Sequence, residues 1–289
     1  MLRITDARSG ELVDAARPRR GLTRVEAHTS GSDLTNLRVL LVADTLVRAL
    51  ELGGTPVWAR LCGERERAGL RAGAAALGVR PFEEDTDGDG AGLGVARVIH
   101  VAAGDGRPAG DGHGVEGPHV AVAPVDPVAS AADVTPAGPG TPPAGQGASA
   151  GPGTSAGPAA PPGHAARDAA RDVAQGPDPA ALRLALLMRP RDVACRLGPE
   201  AVRDAHDTLA RWRRAVAAWA RLPSRPVPDE MRARVRAAWE ADLDVPAVIE
   251  ALRDVERDPD LPDGARFETY VHADRILGVD LSRDVGGPA

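Results

Sequence analysis

Between Pro127 and about Gly163 the chain carries almost nothing that a core could bury. Its later part, Pro136–Gly163, reads PAGPGTPPAGQGASAGPGTSAGPAAPPG. Ordering a backbone costs free energy that only buried apolar surface returns. A stretch of Pro, Gly, Ala and Ser has little such surface to offer, so a disordered linker is expected over 127–163. The recurring Ala-Gly-Pro is low complexity. A collagen-like helix would need Gly at every third position, and that period is missing. Packed structure is therefore restricted to two flanks, residues 1–126 and 164–289. A length of 289 residues accommodates two small domains of that size.

The first flank reads as α/β. LRIT opens a short strand, and RSGEL is a turn. Leu22–Thr29 alternates apolar and polar residues, as a half-buried strand does. Leu34–Leu52 follows with Leu37, Leu40, Leu41, Leu46, Val47 and Leu50 near one helical face, and Gly53-Gly54 supplies a stop. TPVWARLC is a second strand, Glu64–Leu77 a second helix, and ARVIHVA and HVAVAPV are further strands. This β-α-β-α-β order predicts a reduced Rossmann-like parallel sheet.

The second flank reads as helical. DPAALRLALLM is short and apolar. The stretch from Gly198 to Leu222 carries Val202, Ala205, Leu209, Trp212, Val216 and Trp219 at three- and four-residue spacing, one apolar stripe. Asp229–Trp239, Val245–Val255 and Phe267–Leu277 are shorter helices. Together they predict an antiparallel α-helical bundle. On this reading Trp212, Trp219 and Trp239 are core residues, and His100, His119 and His206 are structural.

Composition narrows the chemistry. All 35 Lys+Arg residues are arginine, so no mechanism that uses a lysine ammonium is open to this chain. The net charge of -6 gives no general attraction to DNA or to an anionic membrane. No apolar run reaches bilayer-spanning length, and the N-terminus lacks a signal-peptide core, so a cytoplasmic protein is expected. The two cysteines, Cys62 and Cys195, are too few for a disulfide framework and read as small buried hydrophobes.

The stretch SGSDLTNLR, Ser30–Arg38, forms a polar turn between the first long strand and the first helix. In α/β nucleotide-binding folds phosphates sit at this corner, on the helix N-terminus. Ser32 and Thr35 are the expected helix caps.

The order of these segments resembles cysteinyl-tRNA synthetases, which are class I aminoacyl-tRNA synthetases. LRITDARSGE is similar to that family's opening strand and turn. DLTNLRVLLVADTLVRALELGGTPVWAR resembles its first crossover, DPAALRLALLMRPR the segment after its second ATP signature, and WEADLDVPAVIEAL and FETYVHADRILGVDL its later helices. The resemblance covers roughly Met1–Gly63 and Pro177–Leu281. It implies a site for ATP at the corner, with Ser32, Asp33, Thr35, Asn36 and Arg38 as the remnant of the nucleotide-binding signature.

Departures from the family pattern decide what that remnant can do. The first signature histidine falls at Asp33 and the signature glycine at Thr35, and only Asn36 fits. Asp33 directs a negative charge at a negative triphosphate. GHAARDAARDVAQG stands where the second, lysine-bearing signature belongs. His164, Arg167 and Arg171 are the available substitutes there, so the catalytic candidates are Asn36, Arg167 and Arg171. The resemblance also implies a zinc held by two Cys, a His and a Glu. Ser30 lies near the first Cys position, and no such ligand pattern is present, so no metal is expected.

Three weaker signals have plain explanations. Asp85–Ala96 opens like a calcium loop but ends in Ala96 where a bidentate Glu is required. Gly90–Gly94 precedes a strand, so it is not a dinucleotide fingerprint. Arg211, Arg213, Arg214 and Arg221 read as a solvated helix surface.

The resemblance thus implies a cysteinyl-tRNA synthetase-like protein with eroded ATP signatures. It would be catalytically silent and would act by binding a nucleotide, tRNA or protein partner. Two alternatives stand beside it. One is an active ATP-dependent cysteine ligase that uses arginine in place of the signature lysines. The other is a protein–protein interaction module.

Overall fold

A computed structural model describes residues 1–16, 22–63, 67–84, 95–104, 117–127 and 178–287. The expected linker from Val128 onward, the acidic turn 85–94, and the candidates His164, Arg167 and Arg171 lie outside the described residues.

The main sheet has five parallel strands in the order β5-β4-β3-β6-β7. They are β3 (Leu22–His28), β4 (Val57–Cys62), β5 (Glu83–Glu84), β6 (Val95–Ala103) and β7 (His119–Val122). Helix α1 (Leu34–Leu52) links β3 to β4, and α2 (Arg67–Ala76) links β4 to β5. The strand order runs outward from β3 in both directions, so the direction of winding reverses between β3 and β6. The expected parallel α/β layer is present, and α1 has the bounds read from the sequence.

Two small pairings were not expected. A hairpin of β1 (Arg3–Thr5) and β2 (Leu12–Asp14) carries the N-terminus outside the main sheet. Its turn is tied to β7 by the His119 N–H, which donates to Asp6 Oδ1 at 3.1 Å. Strands β8 (Val125–Pro127) and β9 (Cys195–Leu197) pair in parallel and join the end of the sheet to the helical region.

That region contains α3 (Pro179–Leu187), α4 (Pro199–Trp219), α5 (Asp229–Glu240), α6 (Val245–Arg257) and α7 (Asp263–Leu277). Helix α7 begins four residues before the expected Phe267, at Asp263, because Gly264, Ala265 and Arg266 continue its first turn. Trp212, Trp219 and Trp239 are all buried, as their spacing predicted. Tyr270 packs edge-on against Trp212 and Trp219, with ring centroids 5.7 and 5.1 Å away. Its hydroxyl donates to the Leu252 carbonyl at 2.8 Å, and burial pushes its pKa upward.

Helix α1 is the centre of the molecule. A single apolar stripe was expected, yet Leu34, Leu37, Val39, Leu40, Ala43, Leu46, Val47 and Leu50 are buried around its whole circumference. The sheet covers one side, and α2 and α7 pack on the others. A helix apolar all round belongs in a core. One apolar cluster therefore runs continuously from the sheet through α1 into α3–α7.

A charged network fixes this arrangement. Asp44 on α1 is 1% exposed and accepts from Arg48 Nε at 2.8 Å, Arg80 Nε at 3.0 Å and Arg183 at 2.8 Å. Arg183, fully buried on α3, also donates to the backbone oxygens of Leu277 at 2.5 Å and Leu77 at 3.1 Å. Burial works to raise the Asp44 pKa. The Arg183 and Arg48 guanidiniums outweigh it and hold the carboxyl below its ordinary range. Gly278 closes α7 at φ 60°, and a Cβ there would lie 2.8 Å from Arg183. The network therefore also requires glycine at this helix end.

Candidate functional site

In open parallel sheets ligands bind beyond the carboxyl ends of the strands, where the winding reverses. Here that place lies at the ends of β3 and β6. Two groups of residues meet there: the corner 29–38, and the polar face of the sheet.

The corner is closed by its own side chains. Asp33, rather than the expected Ser32 or Thr35, caps α1. Its Oδ1 accepts from the backbone N–H of Asn36 at 2.8 Å and from the Asn36 side-chain amide at 2.9 Å. The Asn36 Oδ1 in turn accepts from the Ser30 N–H at 2.9 Å. Thr35 Oγ1 accepts from the Val125 N–H at 3.0 Å, so its hydroxyl serves β8 rather than the helix end. Ser32 is buried.

Arg38 is 1% exposed. It donates to Ala123 O at 3.0 Å, Val193 O at 2.9 Å, Pro190 O at 2.6 Å and Arg189 O at 3.4 Å. Burial lowers its pKa, which the Cys195 and Asp192 side chains partly offset. The guanidinium is thus spent on chain carbonyls that hold the loop after α3 against α1. Gly63 makes the corner tight from the other side. Its φ is 146°, and a Cβ there would meet the Thr29 oxygen at 2.2 Å.

The polar face follows from strand register. Val25, Ala27, Leu61, Ile99, Val101, Val120 and Val122 form the buried apolar face under α1. The alternate residues point the other way. Arg60, Glu26, His100 and His119 lie side by side across β4, β3, β6 and β7. The next row holds Cys62 opposite His28. In the preceding row Arg24 faces Trp58, whose ring carries the Arg60 guanidinium 5.0 Å from its centroid.

Within this face Glu26 Oε1 pairs with Arg24 Nε at 2.8 Å and Arg60 at 3.6 Å. Glu26 Oε2 faces His100 Nδ1 at 3.2 Å and His28 Nε2 at 3.7 Å. The two imidazole nitrogens are 3.0 Å apart. The His100 ring also lies against His119, with centroids 4.7 Å apart. Burial opposes the Glu26 charge, but the His100 hydrogen bond and Arg24 hold its carboxyl below the ordinary range. Burial, with His100 alongside, pushes His28 down to about 4. A carboxylate and a neutral imidazole therefore lie side by side at the strand ends.

Several expectations change on this geometry. Cys195 is a buried core thiol, but Cys62 is half-buried beside His28 and Glu26. The two cysteines lie in different sheets, and among the described residues Cys62, not Cys195, stands with a His and a Glu. His206 lies at the surface, its half-exposed side chain 3.6 Å from Asp178. Arg213 is not on a solvated surface but buried, donating to the Val279 and Asp280 carbonyls. The Glu26–His28–His100 grouping was missed because alternation along one strand assigns a face, while the neighbours on that face depend on register between strands.

No protein-family model matches the chain. Over 109 residues, 37% of its length, it is 37% identical to the L-cysteine:1D-myo-inositol 2-amino-2-deoxy-alpha-D-glucopyranoside ligase of Acidothermus cellulolyticus. Over 83 residues, 29% of its length, it is 41% identical to the ligase of the same name from Parafrankia sp.. The matches cover 26% and 18% of those proteins, so the chain corresponds to about a quarter or less of each. The chain is similar in part to cysteine ligases.

Proposed function

We propose that this chain is a catalytically silent relative of the class I cysteine ligases, a scaffold that acts by binding rather than by adenylation. The partial similarity to two L-cysteine ligases supports the ancestry. The observation that carries the silence is the state of the α1 N-terminus. Helix N-termini attract phosphate because their N–H groups and dipole face outward. Here the chain's own Asp33 carboxylate takes that position and satisfies Asn36. The arginine one turn further on, Arg38, is engaged by four backbone carbonyls. A triphosphate arriving at this corner meets the Asp33 carboxylate, and the Arg38 guanidinium is already held by carbonyls.

Of the possible partners, a protein or a small ligand fits better than tRNA. The net charge is -6. In the helical region Arg211, Arg232, Arg234, Arg253, Arg257 and Arg266 each lie beside a carboxylate. Phosphate binding draws on unneutralised cations, and these six arginines are already paired.

Thermal unfolding with MgATP checks the reading. A ligand at about 100 times its Kd adds about 2.7 kcal/mol of stability. No shift in Tm is expected at millimolar MgATP, alone or with L-cysteine. A saturable rise, lost in Asn36→Ala, contradicts the closed corner and favours a relative that still binds nucleotide there.

A further inference from the structure

We propose that the cleft between α2, α1 and β4 binds a small organic monocarboxylate with an apolar body, in the class of a medium-chain fatty acid. None of its lining residues belongs to the corner 29–38 or to the polar face of the sheet, so the site stands whether or not ATP binds at the corner.

The cleft originates in the sequence of α2. That helix reads RAGLRAGAAA, and Leu70 is its one large apolar side chain. Alanine and glycine reach too short a distance to fill the space over the layer beneath. A cavity of about 330 Å³ remains, walled by Leu40 of α1, Leu61 of β4, and Val79 and Phe82 from the turn that leads into β5. Protein cores hold few voids larger than a water molecule, whereas pockets for small molecules measure about 300–1,000 Å³ and are mostly apolar. Leu40, Leu61 and Val79 are buried, while Arg71, Ala75 and Pro81 are exposed, so the mouth opens to solvent on their side. An apolar cavity of about 150 Å³ takes a benzene ring. Roughly twice that space takes an apolar body of about eight carbons.

Charge selects the head group. Arg71 and Arg80 line the cavity, and among the described residues no Asp or Glu does. Arg80 donates from Nε to Asp44 at 3.0 Å and from Nη1 to Glu51 at 2.6 Å. Its Nη2 is shut off from water and has no acceptor among the described residues. A buried donor without an acceptor costs free energy, and an incoming oxygen recovers it. The Arg80 side chain as a whole is part-exposed, so a small turn of the guanidinium presents Nη2 to that oxygen. A carboxylate brings the oxygen together with the charge that suits a guanidinium. An ammonium group meets two cations there, and a hydroxyl brings the oxygen without the charge.

Titration of the full chain with sodium octanoate tests this, followed by calorimetry and by the methyl NMR signals of leucine and valine. One equivalent should bind saturably below the micelle concentration, and the Leu40, Leu61 and Val79 methyls should shift ahead of those in α3–α7. Octanol should bind about tenfold more weakly, and octylamine should not bind. Ala75→Phe, which fills the cavity from its exposed side, should abolish binding, and Arg80→Gln should weaken it about tenfold. Arg80→Gln also disturbs the pairing with Asp44, so circular dichroism checks its fold. Ala75→Phe leaves that pairing intact and tests the site without it. The proposal is overturned if octanoate does not bind saturably, or if its binding survives Ala75→Phe. It is also overturned if octanol or octylamine binds as tightly as octanoate, or if folded Arg80→Gln binds as wild type.

Discussion

Asp33 does two jobs with one carboxylate. It caps α1 by accepting from Asn36, and it places negative charge where the sequence resemblance puts nucleotide phosphate. Asp33→Ala should cost about 1 kcal/mol, the ordinary value of a lost cap, and Asp33→Asn much less. Urea unfolding midpoints for the two variants measure this. Asp44 carries a larger burden, because its three arginine partners include the fully buried Arg183. Asp44→Asn leaves that cation uncompensated and should destabilise the protein by about 3–5 kcal/mol. The same unfolding assay checks it. A loss below about 1 kcal/mol would mean that water reaches Arg183.

At the scale of elements, legibility depended on whether a signal was local. Helix α1 could be bounded from the sequence because a polar turn precedes it, a continuous apolar run fills it, and Gly53-Gly54 ends it. Its burial on all sides could not be read, because that depends on α7, more than two hundred residues away. Strands β2, β8 and β9 are three residues each, and so short a run shows no alternation. The cap was assigned to Ser32 or Thr35 on general preference. Asp33 is equally suited, and only the turn geometry separates them. The row Arg60–Glu26–His100–His119 comes from three pairings between strands distant in sequence.

His28, in the next row, gives β3 a pH dependence. In the fold His28 is held at about 4, well below the ordinary 6.5. The unfolded chain therefore takes up the proton first as pH falls. The His28 contribution to stability is complete above about pH 6.5 and declines toward pH 4. A shift of that size is worth at most about 3 kcal/mol. Chemical denaturation at a series of pH values should show this slope, and His28→Gln should flatten it. An unchanged slope in His28→Gln would place the titration elsewhere.

Taken as a whole, the molecule puts an α/β layer and a helical region around one helix and one core. No helix among the described residues is long and apolar enough to cross a membrane. Its charged residues at the corner are turned to structural ends: Asp33 to a cap, Arg38 to backbone carbonyls. On the function proposed above, the corner keeps the outline of an adenylating site without, among the described residues, the groups that would stabilise a departing pyrophosphate. Amino-acid-dependent exchange of labelled pyrophosphate into ATP tests that claim most directly. With the full chain, magnesium and each amino acid in turn, L-cysteine above all, the rate should equal the protein-free blank. Exchange well above the blank with L-cysteine, abolished by Asn36→Ala, would contradict it.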